Sequence, residues 1–182
     1  LGDDLDIQLG LPSPIINALI DSPFPIDTLF WTPLDSLLCL TSNCQTIEVF
    51  PAETTTYVLT ATDINGCTGT GEVTVNVKDI RSVYFANIFT PNRDGNNDFF
   101  QVAVGPGVAL VNSFAIFDRW GNQVFFKENY MPDAAGIDGW DGTFNGRPLD
   151  PGVFVYTARV LFIDGKVIDY SGSVTVAAKV KN

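Results

Sequence analysis

Asn92, Asp94, Asn96 and Asp98 place an oxygen-bearing side chain at every second position of one short stretch, with Gly95 among them. Hard cations take several oxygen ligands from a flexible loop, and this alternation is half the ligand spacing of a calcium loop without its closing bidentate Glu. Asp138 and Asp141 could add oxygens from a second loop. The same four residues serve equally as Asx turns, bonding their own backbone with no ion. Calcium is therefore admitted at Asn92, Asp94, Asn96 and Asp98, and no cofactor is required. Trp31, Trp120 and Trp140 offer ring faces to a sugar or a protein. Against that, Trp120 at a hairpin end reads as a cap over the core, and Trp140 beside glycines as a core plug. Asp141 then bonds nearby backbone N–H groups. Arg119 pairs with Asp118 or with a carboxylate of the 92–98 loop, or remains a surface charge. Cys39 and Cys44 flank a four-residue polar segment that a disulfide would close, leaving Cys67 unpaired; three buried thiols are the alternative. Zinc lacks a fourth Cys or His ligand.

The sequence holds no histidine. That removes the usual general base, the commonest transition-metal ligand and every Ser-His or Cys-His nucleophile pair. Carboxylates are plentiful, so composition leaves a two-carboxylate glycosidase open, but no acidic pair lies in a context that raises a pKa. The chain reads as no enzyme. Its net charge of −11 is uneven: residues 1–80 hold eleven acidic side chains against Lys78 alone, and residues 81–182 hold ten acidic against nine basic. Nucleic acid needs a basic stripe, which is absent. The acidic first part suits an extracellular, calcium-rich setting, or is simply a solvated face that resists association. Apolar runs are short and broken, so the chain has no transmembrane segment of its own. It starts at Leu1 without a signal segment, which reads as either a mature product or, the favoured reading, a piece of a longer protein.

The elements that position these residues are short strands. Leu5, Ile7 and Leu9 alternate in an edge strand over 1–10. Strands follow over 15–20, 28–31, 46–50, 55–62 and 72–77, with a loop or turn over 34–43 and a turn at Asn65-Gly66. About seven strands in some 78 residues argue for a small antiparallel sandwich. Residues 79–81 read as a short charged linker that allows limited bending. Beyond it, strands over 82–88 and 99–104 flank the polar loop, and 110–117 pairs with 123–127 around Asp118-Arg119-Trp120-Gly121-Asn122. Residues 128–138 read as a long irregular loop, 139–146 as a tight double turn. The longest hairpin joins 152–163 to 166–179 through Asp164-Gly165, a type I′ signal.

One set of motifs is specific. Asn87-x-Phe89-Thr90-Pro91-Asn92-x-Asp94-Gly95-x-Asn97-Asp98 is followed by Phe114-x-Ile116-Phe117-Asp118-Arg119-Trp120-Gly121, then Gly139-Trp140-Asp141-Gly142 and Gly152-Val153-Phe154-Val155-Tyr156. The order and content of these blocks resemble the type B C-terminal sorting domain of the Bacteroidetes type IX secretion system, also called the gliding motility-associated C-terminal domain. The resemblance covers roughly residues 82–182. Upstream, Trp31-Thr32-Pro33, Pro51-x-Glu53-Thr54-Thr55-Thr56-Tyr57 and Thr60-Ala61-Thr62-Asp63-x-Asn65-Gly66-Cys67 are similar to the PKD-like, Ig-like repeats that precede such domains.

Together these readings give an all-β chain of two consecutive antiparallel Ig-like β-sandwich domains, residues 1–78 and 82–182. The resemblance implies a folded signal, recognised by the type IX outer-membrane translocon and a PorP/SprF-type outer-membrane barrel. It also implies export through the periplasm to the cell surface or beyond, with a gliding or adhesin protein as cargo. Translocon recognition then falls to Asn87, Phe89, Thr90, Pro91, Asn92, Asp94, Gly95, Asn97, Asp98, Arg119, Trp120, Gly121, Trp140, Asp141 and, on the C-terminal strand, Val174 and Val176. The other reading is a carbohydrate- or calcium-binding accessory module of an adhesin or a polysaccharide-degrading enzyme.

Overall fold

The computed structural model describes residues 1–133 and 138–177. The chain divides into two compact units, Leu1–Ile80 and Arg81–Asn182, and the described residues form strands and no helix.

In the first unit, strands β1 (Leu5–Gln8), β2 (Ile15–Asn17), β3 (Ile26–Thr32), β4 (Leu37–Cys39), β5 (Thr46–Val49), β6 (Thr55–Asp63) and β7 (Thr68–Lys78) build two sheets. Their orders are β1-β7-β6-β3 and β2-β5-β4. Alternation drives the packing: Tyr57 and Leu59 of β6, Val73 and Val75 of β7, and Ile47 and Val49 of β5 all point into one core around Trp31. Trp31 is buried, and its indole N–H donates to the Cys44 carbonyl at 2.8 Å. The residues expected to form a loop over 34–43 include a strand, β4, which pairs with β5 and carries Cys39. Cys39 and Cys44 are disulfide-bonded, and Cys67 is free and exposed. The sheet is not purely antiparallel, because β1 runs parallel to β7 with Leu5 opposite Val75.

The second unit contains β8 (Val83–Phe85), β9 (Ile88–Phe89), β10 (Val102–Val104), β11 (Val108–Phe117), β12 (Gln123–Tyr130), β13 (Thr143–Phe144), β14 (Arg147–Pro148), β15 (Gly152–Phe162) and β16 (Val167–Val176). A five-stranded sheet, β12-β11-β15-β16-β9, lies against the β8–β10 pair, and β13–β14 is a separate ribbon. The strand expected over 82–88 splits instead: β8 joins β10, and β9 crosses to run parallel to β16 with Val176 opposite Phe89. Residues 128–130, expected in an irregular loop, continue β12. The rest of that loop, and the end of the strand expected over 166–179, fall partly outside the described residues.

The core between these layers is aromatic. Phe100 lies 5.6 Å from Phe114 and 5.2 Å from Tyr156, and Trp140 lies 5.4 Å from Phe89 and 4.9 Å from Phe154, ring centre to ring centre. Such pairs contribute about 0.5–1.5 kcal/mol each beyond area burial. Phe100 and Trp140 also exchange two backbone hydrogen bonds of 2.8 Å, an isolated bridge that ties the polar loop to the 139–142 turn.

Three hairpins share one geometry. At 63–67, 118–122 and 162–166 the first residue donates its backbone N–H to the carbonyl of the fifth and accepts from the N–H of the fourth, which is a glycine at φ +84°, +84° and +80°. This is a three-residue loop ending in a left-handed residue. The Asp164-Gly165 turn is therefore not the expected type I′, which needs positive φ at two successive residues. Asn145-Gly146 does meet that requirement, at +52° and +76°.

At the other end of the sheet the Asp164 carboxylate binds Arg81, with one contact at 3.2 Å and a shorter second one, while the Arg81 guanidinium covers the Phe162 ring at 4.5 Å. Hydrogen bonding from Arg81 holds the Asp164 carboxyl down at about 2. A depressed carboxylate stabilises the fold above its unfolded value near 3.9, and that contribution is lost as pH falls toward 2. Stability of the second unit should decline between about pH 4 and pH 2 through this group. Asp164→Asn should remove that share of the acid dependence in denaturant melts taken across the range.

Gly139 supplies a second check. A β-carbon there would strike the Phe100 carbonyl and sit 2.9 Å from the Gln101 β-carbon, so the bridge would have to open. Gly139→Ala should cost about 1–3 kcal/mol, the usual penalty of overpacking, and calorimetry should show the melting point falling by roughly 5–15 °C.

Candidate functional site

The polar loop is ordered by its own side chains. The Asn92 carbonyl oxygen accepts the Asp94 N–H at 3.0 Å, and Asp94 Oδ1 accepts the Asn96 N–H at 2.8 Å. Asp98 takes two more amides, from Arg93 through Oδ1 and from Gly95 through Oδ2 at 2.8 Å. Asn92 Nδ2 donates to Asp94 Oδ2 at 2.7 Å, and this bond, with the Asn96 amide, lowers the Asp94 pKa. Arg93 and Asn97 stand at positive φ, +67° and +52°, within the ladder. The alternate spacing thus makes successive Asx turns. Asp138 is ion-paired to Lys127 at 2.8 Å, and Asp141 Oδ1 accepts the Thr143 N–H and hydroxyl at 3.0 and 2.7 Å. Among the described residues no group of three or more Asp, Glu, Cys or His side chains gathers in a metal-binding cluster.

The motif residues divide by burial. Phe89, Trp140, Val174 and Val176 are core side chains, almost wholly covered. Trp140 donates its indole N–H to the Thr143 carbonyl at 2.8 Å, while Gly142, at φ +74°, packs against the Pro91 ring. Thr90, Pro91 and Asp98 are half-buried; Asn87, Asn92, Asp94, Gly95, Asn96, Asn97, Arg119, Gly121 and Asp141 are exposed. Trp120 corrects the expectation of a core cap, being 76% exposed. Asp118 takes the amides of Trp120 and Asn122 on one oxygen and the Asn122 side chain on the other, which lowers its pKa. Of the three readings of Arg119, the surface one matches its place: it is exposed, with its guanidinium 5.0 Å from the centre of the Trp120 ring.

Topology brings these pieces to one end of the sandwich. The 118–122 hairpin follows β11, whose Phe117 is opposite Val155; β15 begins beside it at Gly152, opposite Val176, which is in turn opposite Phe89 at the mouth of the polar loop. Between the loop and the β13–β14 ribbon lies a mostly apolar cleft of about 710 Å³, lined by Pro91, Phe99, Pro148, Leu149, Pro151 and Val176 among others. This cleft is all but silent in the sequence. Its one signal was Pro148 and Pro151 flanking Leu149, a spacing that keeps the chain out of the sheet.

A family model, the CHU_C type IX secretion signal domain, matches residues 83–176. The chain belongs to this family. Membership makes the second unit a type IX sorting-signal domain, implies a secretion-system translocon as its partner, and implies export to the cell surface or extracellular space. No helix among the described residues is long and apolar enough to cross a membrane. A comparison with curated proteins finds no match. Solved structures resemble the chain distantly. They include dimeric latent PorU from Porphyromonas gingivalis, at 15% identity and a TM-score of 0.34 over 98% of this chain and 19% of that one. SGBP-B of the Bacteroides ovatus mixed-linkage glucan utilization locus matches at 16% and 0.36, over 96% and 43%. Fibronectin(III)-like modules of Clostridium thermocellum CbhA match at 14% and 0.31, over 96% and 90%. The chain spans about a fifth of the PorU chain and under half of SGBP-B.

The sorting-signal loop should behave as a self-capped structure. Asp98→Ala removes acceptors from two amides and should destabilise the unit by about 1–2 kcal/mol. Adding calcium or EDTA should leave the wild-type melting point unchanged, and a calcium-dependent rise would show that a cation shares these oxygens.

Proposed function

We propose that residues 82–182 are the folded export and surface-retention signal of a larger surface protein of the adhesin or gliding type, and that a PorP/SprF-type outer-membrane barrel is its dedicated partner. The observation that supports the export-signal part of this reading is the family match over residues 83–176. The unit has no catalytic role; its work is recognition through exposed motif residues around Trp120 and the polar loop, while the buried ones hold those in place. No cofactor is required. Calcium at Asn92, Asp94, Asn96 and Asp98 would have to share oxygens that already hold the loop closed.

One observation favours the second reading, a carbohydrate-binding accessory module: the exposed Trp120 ring with Arg119 beside it. Aromatic faces of this kind stack on sugars as readily as on protein anchors.

The test is a fusion of residues 82–182 to an exported fluorescent protein in a cell with type IX machinery, with and without the candidate barrel. Barrel-dependent appearance outside the cell is expected, and periplasmic retention with the barrel present overturns the proposal. Trp120→Ala should leave the melting point within a few degrees and reduce export. Retention of the unfused chain on a polysaccharide column, lost in the same variant, would instead support the carbohydrate reading.

A further inference from the structure

The five-stranded sheet of the sorting unit has two edges, and they are built differently. The β12 edge is blunted: its register against β11 is broken by a bulge, Asn129 stands at φ +50°, and Lys127 folds over Tyr130 at 4.3 Å while bonding Asp138. These are ordinary devices for keeping a sheet from recruiting another strand. The opposite edge lacks them. β16 pairs with β15 in unbroken register from Val167 to Val176, and contains no proline and no lysine. Its one charge, Asp169, is turned back to Arg159 at 3.0 Å.

Most of that edge is unpaired. The amides of Thr175 and Ala177 donate away from β15, to the carbonyls of Asn87 and Phe89. With continuous alternation, the N–H and C=O groups of Val167, Asp169, Ser171 and Ser173 face the same way. Among the described residues only β9 pairs there, and it stops at Thr175 and Val176. The slot over 167–173 is roughly 20 Å long at about 3.3 Å per residue. Along its inner side Ile168 and Tyr170 pack on the core but stay half-exposed, with Phe85 5.9 Å from Tyr170. Its outer side carries exposed Ser171 and Ser173.

We propose that this edge is where the secretion machinery engages the folded domain, by adding an extended strand end to end with β9. The proposal rests on the sorting reading above and names the chemistry of its partner. That partner is a segment of about seven residues, alternating apolar side chains toward Ile168 and Tyr170 with polar ones toward Ser171 and Ser173. A second copy of this chain fits poorly. A twofold at Ser171 aligns only residues 169–173 before each copy's β9 obstructs the other, and a twofold at Asp169 sets two carboxylates opposite each other. A foreign strand uses the whole slot, and β9 is the domain's own precedent for adding a strand to this edge.

The experiment uses the full chain behind an exported fluorescent reporter in a type IX-competent cell. Failure of the wild-type fusion to leave the periplasm overturns the sorting reading itself. With wild-type export established, Ser171→Pro is the first variant. It removes an outward N–H at a position where an edge strand tolerates proline, and should reduce export about tenfold, since the added strand loses a hydrogen bond and meets the ring. Wild-type export of Ser171→Pro, with the purified protein melting normally, overturns the edge proposal and leaves the sorting reading standing. Should that variant fold poorly, Ser171→Lys with Ser173→Lys replaces it; both side chains are exposed, and the charges guard the edge. Unchanged export of the double variant overturns the proposal equally. Hydrogen exchange on the free full chain gives a further readout. The amides of Asp169, Ser171 and Ser173 should exchange rapidly, and protection there would mean that the edge is already covered.

Discussion

The reciprocal hydrogen bonds between Phe100 and Trp140 are the constraint on which the sorting unit depends. They join two segments that belong to neither main sheet, and they do so at the bottom of the aromatic core. A loop of Asn, Asp, Pro and Gly has little apolar surface with which to hold itself down. Here its two ends are fixed instead, one by β9 beside β16 and the other by the bridge to the 139–142 turn. Gly139 is small because the Phe100 backbone passes against it, and Gly142 turns the chain beneath Pro91. The Asx ladder then has only a short span to order.

That arrangement separates two jobs which the motif residues share in sequence. Phe89, Trp140, Val174 and Val176 make the platform, and Asn87, Asn92, Asp94, Arg119 and Trp120 stand on it. The same economy appears at the hairpin ends. Asp63 and Asp118 each spend a carboxylate oxygen on two amides of their own turns, so neither turn relies on the core for its shape. Trp120 is therefore held out in solvent by a rigid turn, with its ring free on most sides.

Strand positions and sheet class were legible because alternation of Tyr57, Leu59, Val73 and Val75, or of Phe154, Tyr156 and Ala158, follows directly from the pleat. What lay beyond reach was tertiary. Nothing local distinguishes β8 from β9, since Ala86 and Asn87 do not break the pattern strongly, yet the chain changes sheets there. The strand β4 was hidden because Leu37, Leu38 and Cys39 are too few to show a period. Trp120 was misread for a related reason: a large aromatic at a turn is normally drawn inward, and only the three-dimensional placement of Arg119 and Gly121 shows that it is not. The parallel pairings of β1 and β9 left no trace in the residue pattern, because register with a distant strand is set by the folded sheet.

The small ring closed by Cys39 and Cys44 sits in the first unit, where Trp31 bonds the Cys44 carbonyl. Its contribution to stability is modest, because so short a loop removes little entropy from the unfolded chain. Its value to the cell biology of the protein is of another kind. Thiols stay reduced in the cytoplasm and join in the oxidising space beyond it, whereas Cys67 is free and exposed in the same structure that joins Cys39 to Cys44. Export of this stretch therefore leaves its own travel record: of the three cysteines in residues 1–182, Cys39 and Cys44 are alkylatable beforehand and joined afterwards, with Cys67 as the built-in standard against which they are counted.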